Sequence, residues 1–132
     1  MTTEEEAIIK QRLILAREAV ADAELLLDHR SYRVAVNRLY YACFYAVSAL
    51  LQSYGRSAKT HAGIRSLFSQ HIIYAGLLSD EFSVLYNDLI EAREDSDYEE
   101  FIDPDPDETR GWLPQVKCFI DAVEQLLSTG RQ

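Results

Sequence analysis

Apolar residues fill the stretch from Val34 to Leu51, VAVNRLYYACFYAVSALL, with Asn37, Arg38 and Ser48 as its interruptions. A helix with so little polar surface must be covered on every side by other helices. The stretch therefore predicts the axis of an all-α fold. A membrane span is the competing reading, because about 18–20 apolar residues can cross a bilayer. Adjacent Asn37 and Arg38, and the tyrosines Tyr32, Tyr40, Tyr41 and Tyr45, are poor lipid-facing material, so the core reading is preferred.

The flanking segments repeat helical periodicity. Ile9, Leu13, Ala16, Val20, Ala23 and Leu27 step by four and three, which predicts a first helix ending near Asp28, with Thr2 or Thr3 and a glutamate three residues on as its capping box. The short joint His29-Arg30-Ser31 predicts an antiparallel hairpin, and Gly55 the left-handed residue that closes the second helix near Tyr54. Thr60 caps a third helix carrying Ile64, Leu67, Phe68, Ile72 and Ile73 up to Gly76. Ser79, Asp80 and Glu81 open a fourth, with Phe82, Leu85, Leu89 and Ala92 on its inner face, running to about Tyr98. Asp105, Pro106 and Glu108 start a fifth, in which Gly111 and Pro114 should break or kink the first turns. The expected architecture is a five-helix up-and-down bundle forming a single domain over residues 1–132.

Composition narrows the setting. The net charge is −9, but residues 77–108 hold thirteen acids against Arg93 alone, leaving the rest of the chain mildly basic. Such acidity opposes a non-specific grip on nucleic acid, which needs lysines and arginines over phosphates, without excluding a small basic cleft. Cys43 and Cys118 lie in apolar runs, make no disulfide framework, and read as small hydrophobes in a reducing cytoplasm. The glutamate-rich start has no signal-peptide character.

Candidate chemistry is sparse. No cofactor motif, phosphate loop or metal-ligand spacing is present. Asp103, Asp105 and Asp107 alternate as calcium ligands do, but Glu108 and Pro114 stand where a calcium loop needs glycine and glutamate, so a helix cap explains them better. Arg38 beside Asn37 reads as a satisfied buried pair or a dimer-interface position in preference to a substrate contact, and a buried guanidinium there would need a carboxylate partner and several hydrogen bonds. Gly63 near the start of the third helix marks a close approach of backbone or ligand. Two short constellations remain, Lys59-Thr60-His61 at a helix start and Arg93-Glu94-Asp95-Ser96-Asp97-Tyr98 near a helix end.

The ordered strings AVNRLYYACFYAVSALL, a glycine at 55, KTHAGIRSLF, GLL and AREDSDY resemble the HEPN domains of prokaryotes, over about Tyr32 to Leu127. In particular they resemble the short stand-alone proteins related to partners of minimal nucleotidyltransferases. The resemblance implies a homodimer, a nucleotidyltransferase-type partner, and a place in a toxin–antitoxin or defence pair. It also implies a site for RNA or a nucleotide, at which Arg93, Asp97, Lys59 and His61 are the binding candidates.

Ribonucleases of that family carry arginine and histidine four to six residues apart. Arg93 corresponds to the arginine, while Tyr98 replaces the histidine; Arg56 and His61 share the spacing but lie between the second and third helices, outside the motif's place. A tyrosine titrating near pH 10 is a poor general base, so Tyr98 argues against nuclease chemistry. The resulting expectation is a binding module without cofactor or metal. The alternative is a metal-independent endoribonuclease toxin that uses Arg93, with Tyr98 or His61 replacing the missing group.

Overall fold

The computed structural model describes residues 1–98 and 103–129. Five helices run in order: α1 (Thr3–Asp28), α2 (Tyr32–Ser53), α3 (His61–Phe68), α4 (Asp80–Tyr98) and α5 (Pro106–Thr129), and no strand occurs among the described residues. The all-α, five-helix expectation holds.

Helix α2 meets its requirement for cover on all sides. It packs most extensively on α1, then on α5 and α4, and also on α3. Ala35, Val36, Leu39, Cys43, Ala46, Val47, Ala49, Leu50 and Leu51 are fully buried. Each large aliphatic side chain so covered contributes about 1.5–3 kcal/mol relative to exposure. The helix is long and apolar enough to span a bilayer by length and composition, yet its apolar surface is spent on the four neighbouring helices.

Local chemistry sets the helix boundaries. Thr2 accepts a hydrogen bond from Glu5 N at 3.1 Å, as a capping residue should. The hairpin turn after α1 is a Schellman motif, with Ser31 N donating to Leu26 O and Arg30 N to Leu27 O. Its left-handed position is held by Arg30, at φ 59°. The same motif closes α2, where Arg56 N donates to Leu51 O and Gly55 takes φ 70°.

Three expectations need correction. The third helix is α-helical only to Phe68 and continues as a π turn from Ser69 to Ile73 before Gly76. Helix α5 runs unbroken through Gly111 and Pro114. Its inner face, from Thr109 and Trp112 through Val116, Phe119, Ile120, Val123 and Leu127, is buried along the whole length, and that packing outweighs the missing Pro114 donor. Cys118 is exposed, one step off that buried face, whereas Cys43 is buried as expected.

Polar contacts then fix the ends. Asp105 accepts from Glu108 N at 3.2 Å, so the alternating aspartates begin a helix cap. Arg33 on α2 donates to the Ser96 carbonyl of α4 and reaches Asp103 at 3.3 Å, tying both sides of the α4–α5 connection to the central helix. Arg17 pairs with Asp121 at 2.7 Å and Glu124 at 3.0 Å across α1 and α5.

The connection from α2 to α3 is closed by a tight fit. Thr60 caps α3 by accepting from Gly63 N at 2.9 Å, and a Cβ added at Gly63 would lie 2.8 Å from Ala58 Cβ and 3.0 Å from Thr60 Oγ1. The close approach foreseen at Gly63 is therefore made by the protein's own loop. Replacing glycine by alanine inside a helix ordinarily gains about 1 kcal/mol. Here Gly63→Ala is expected to lower the urea midpoint instead, and Ala58→Gly in the same chain should recover most of the loss.

Candidate functional site

The site is built on the aromatic middle turns of α2. Tyr40, Tyr41, Phe44 and Tyr45 fall on adjacent positions of consecutive turns, and their rings touch edge to face or stacked at 5.0–6.0 Å. Tyr40 is buried to 1% exposure and stacks on Tyr86 of α4 at 6.1 Å with the planes 8° apart. Its ring is thus fixed by packing, and its hydroxyl points to the first residue of α3.

That residue is His61. Its Nδ1 lies 2.6 Å from Tyr40 Oη, and its ring stacks on Phe44 at 4.3 Å. The Thr60 cap and the close fit at Gly63 hold the loop that delivers it. From α4, the Arg93 guanidinium lies 4.8 Å from the Tyr40 ring centre and 5.4 Å from that of Tyr41. A cation over an aromatic face is attracted by the ring's negative π surface. Arg38 sits 5.2 Å from Tyr41 as well, and its other polar contact is Asn37 Oδ1, at 2.9 Å from Nη2. Arg38 is only half-buried, which is why it can rest on an amide and a ring without the carboxylate that full burial would demand.

Electrostatics follow from these positions. Burial raises Tyr40 to about 12 despite the opposing pull of Arg93, so it remains a neutral hydroxyl at physiological pH. Partial burial, and then the positive charge of Arg93, lower His61 below its ordinary 6.5. His61 is consequently a neutral imidazole at pH 7. With Nδ1 engaged by Tyr40, Nε2 is the nitrogen left to exchange a proton with a ligand, whichever tautomer the Tyr40 contact selects.

Arg93 and His61 line one open cleft of about 800 Å³ between α3 and α4, together with Tyr40, Arg65 and Glu94. The π turn supplies Ser69 and Gln70 to its wall, and fully exposed Tyr74 stands at its rim. Arg65 is oriented from below by Asn87, whose Oδ1 accepts from Nε at 2.9 Å. Among the described acids near Arg93, Glu94 lines this space, whereas Glu91 and Asp95 do not.

Of the residues singled out in the sequence, Arg93 and His61 meet here. Lys59 lies beyond His61 and lines a separate, smaller cleft. Asp97 and Tyr98 end α4, and their side chains lie outside the described residues. Sequence reasoning missed Arg65 and the bridging position of Tyr40. Helical spacing within α2 marks Tyr40 only as core, and nothing local links it to a histidine 21 positions away. No group of three or more histidines, cysteines or acids placed to hold a metal occurs among the described residues.

Comparison with known proteins agrees with this architecture. A UPF0332 protein of Thermotoga maritima is 37% identical over 124 residues, covering 94% of each chain. Two Methanocaldococcus jannaschii proteins, each bearing the name "Putative toxin", are 26% and 28% identical, covering 90% and 85% of this chain and 88% and 76% of their own. The family model described as HEPN domain matches residues 9–126, nearly the whole bundle from α1 to α5. With that match and a relative of such identity over nearly its whole length, the chain belongs to the HEPN domain family.

Proposed function

We propose that this protein is the toxin-type half of a two-protein system, a cytoplasmic homodimer whose cleft between α3 and α4 binds the phosphate of an RNA or a nucleotide. One observation carries the reading: Arg93 and His61, distant in sequence, stand on the same cleft and against the same tyrosine. Arg93 and Arg65 are the phosphate contacts, since guanidinium groups match phosphate geometry. The names of the two M. jannaschii relatives support a toxin-type role. A nucleotidyltransferase-type protein is the partner that the family resemblance favours.

The position of His61 favours a second reading, a metal-independent endoribonuclease. Tyr98 as a base was the chemical objection to it, and a neutral imidazole beside Arg93 removes that objection. In the tautomer whose Nδ1–H donates to Tyr40 Oη, His61 Nε2 takes the proton from a ribose 2′-hydroxyl, the 2′ oxygen attacks the adjacent phosphorus, and the 5′ oxygen departs and is protonated by water. Arg93 stabilises the charge that builds on the phosphoryl oxygens. Tyr40 is then a positioning residue that orients the imidazole.

Arg93→Ala should weaken binding of a labelled single-stranded RNA about tenfold or more and relieve growth arrest on induction in a bacterial host. Equal binding by parent and variant would remove the proposed site. His61→Ala separates the two readings. In excess EDTA it should lose about 10²–10⁴-fold in cleavage with binding nearly unchanged if the protein is a nuclease, and a parent that does not cleave leaves the binding module.

The titration of His61 is a separate check. Its folded-state pKa is depressed, so the neutral form and its contribution to stability are present above 6.5 and lost as pH falls through the lower folded value. The NMR midpoint of the His61 ring protons should fall below 6.5 and rise in Arg93→Gln. No change in that variant would mean that Arg93 and His61 do not share a site in solution.

Light scattering tests the assembly, with twice the chain mass of 15.1 kDa expected at micromolar concentration.

A further inference from the structure

We propose that the smaller cleft on the far side of His61 is a second phosphate subsite, so that the ligand is a single-stranded polynucleotide threading both clefts rather than a mononucleotide. The proposal rests on the phosphate-binding reading of Arg93. Its own support is the composition of the second cleft. This space of about 260 Å³ is lined by Arg12, Arg56 and Lys59, by Phe44 and Tyr45, and by His61 itself, with no acidic side chain among the described residues of its wall. In a chain of net charge −9, three cations gathered around one cleft are a marked local reversal of sign.

Continuity is the second argument. His61 lines both clefts, so a strand that passes it meets cations in succession: Arg93 and Arg65 in the larger cleft, then Lys59, Arg56 and Arg12 in the smaller one. Arg12 is already set in place, reaching from α1 to donate to the Ser48 carbonyl of α2 at 3.3 Å. Exposed Tyr74, at 92% accessibility on the rim of the larger cleft, offers a flat face for a base. A row of cations with interleaved aromatic faces is the arrangement by which single strands are held without sequence preference, at about 4–16 nucleotides per site. An acidic peptide without aromatic residues would use the cations but leave Tyr74 without a stacking partner.

The test compares a fluorescein-labelled oligouridylate of about ten nucleotides with adenosine monophosphate. Arg56 and Lys59 are exposed, so the double variant Arg56→Gln, Lys59→Gln should fold, and thermal melting followed by circular dichroism verifies it. Losing two phosphate contacts should weaken the oligonucleotide about 25-fold near 0.1 M salt and reduce the slope of log K against log salt by about 1.4. Adenosine monophosphate, held by the Arg93 cleft alone, should bind the double variant and the parent equally. Unchanged oligonucleotide affinity overturns the second subsite, and so does an equal loss for both ligands, which would reflect a general change of field. Displacement of the oligonucleotide by polyglutamate at matched charge would also overturn it, in favour of an acidic protein dock. Failure of the underlying reading looks different: Arg93→Ala would then leave both ligands unaffected.

Discussion

The burial of α2 is the constraint from which the rest of this structure follows. A helix that is apolar on nearly every face cannot rest against one neighbour, so α1, α3, α4 and α5 must all close on it. The turns serve that end. A three-residue joint returns α1 along α2, and Arg30 accepts a left-handed conformation ordinarily costing about 1 kcal/mol so that the hairpin stays short. Salt links between α1 and α5 are half-exposed and contribute little by comparison.

The same helix carries the candidate site, because its central aromatic turns are shared between core and cleft. Tyr40 is a core residue by burial and a site residue by its hydroxyl. Stacking on Tyr86, Phe44 and His61, with Arg93 over the ring, leaves it little freedom to turn. A histidine on an eight-residue helix after a polar loop would otherwise be poorly placed, since such short elements have little stability of their own. The bundle core thus supplies the rigidity that so short an element lacks.

Charge is organised on the same principle of segregation. The acids of residues 77–108 give the chain its negative sum, yet side-chain direction along α4 sends Arg93 inward over the tyrosines and leaves Glu91 and Asp95 outside the cleft. Burial distance and the facing of each side chain decide what a ligand meets, because exposed charges are screened within about 8–10 Å.

The helix count, most boundaries, the Thr60 and Asp105 caps and the core stripes were legible in the sequence, since each depends on interactions within four or five residues. Pro114 and Cys118 were misjudged for the opposite reason: whether a proline breaks a helix, or a cysteine is buried, depends on what packs across from it. The π turn at Ser69–Ile73 carries no local mark either. The candidate site was half visible. Arg93 and His61 drew notice as residue types, but their meeting, Tyr40 as the bridge between them, and the separation of Lys59 from the Arg93 cleft required three helices to converge. Periodicity along one helix reports which face is apolar, and only the packing of helices on one another decides which polar groups that face brings together.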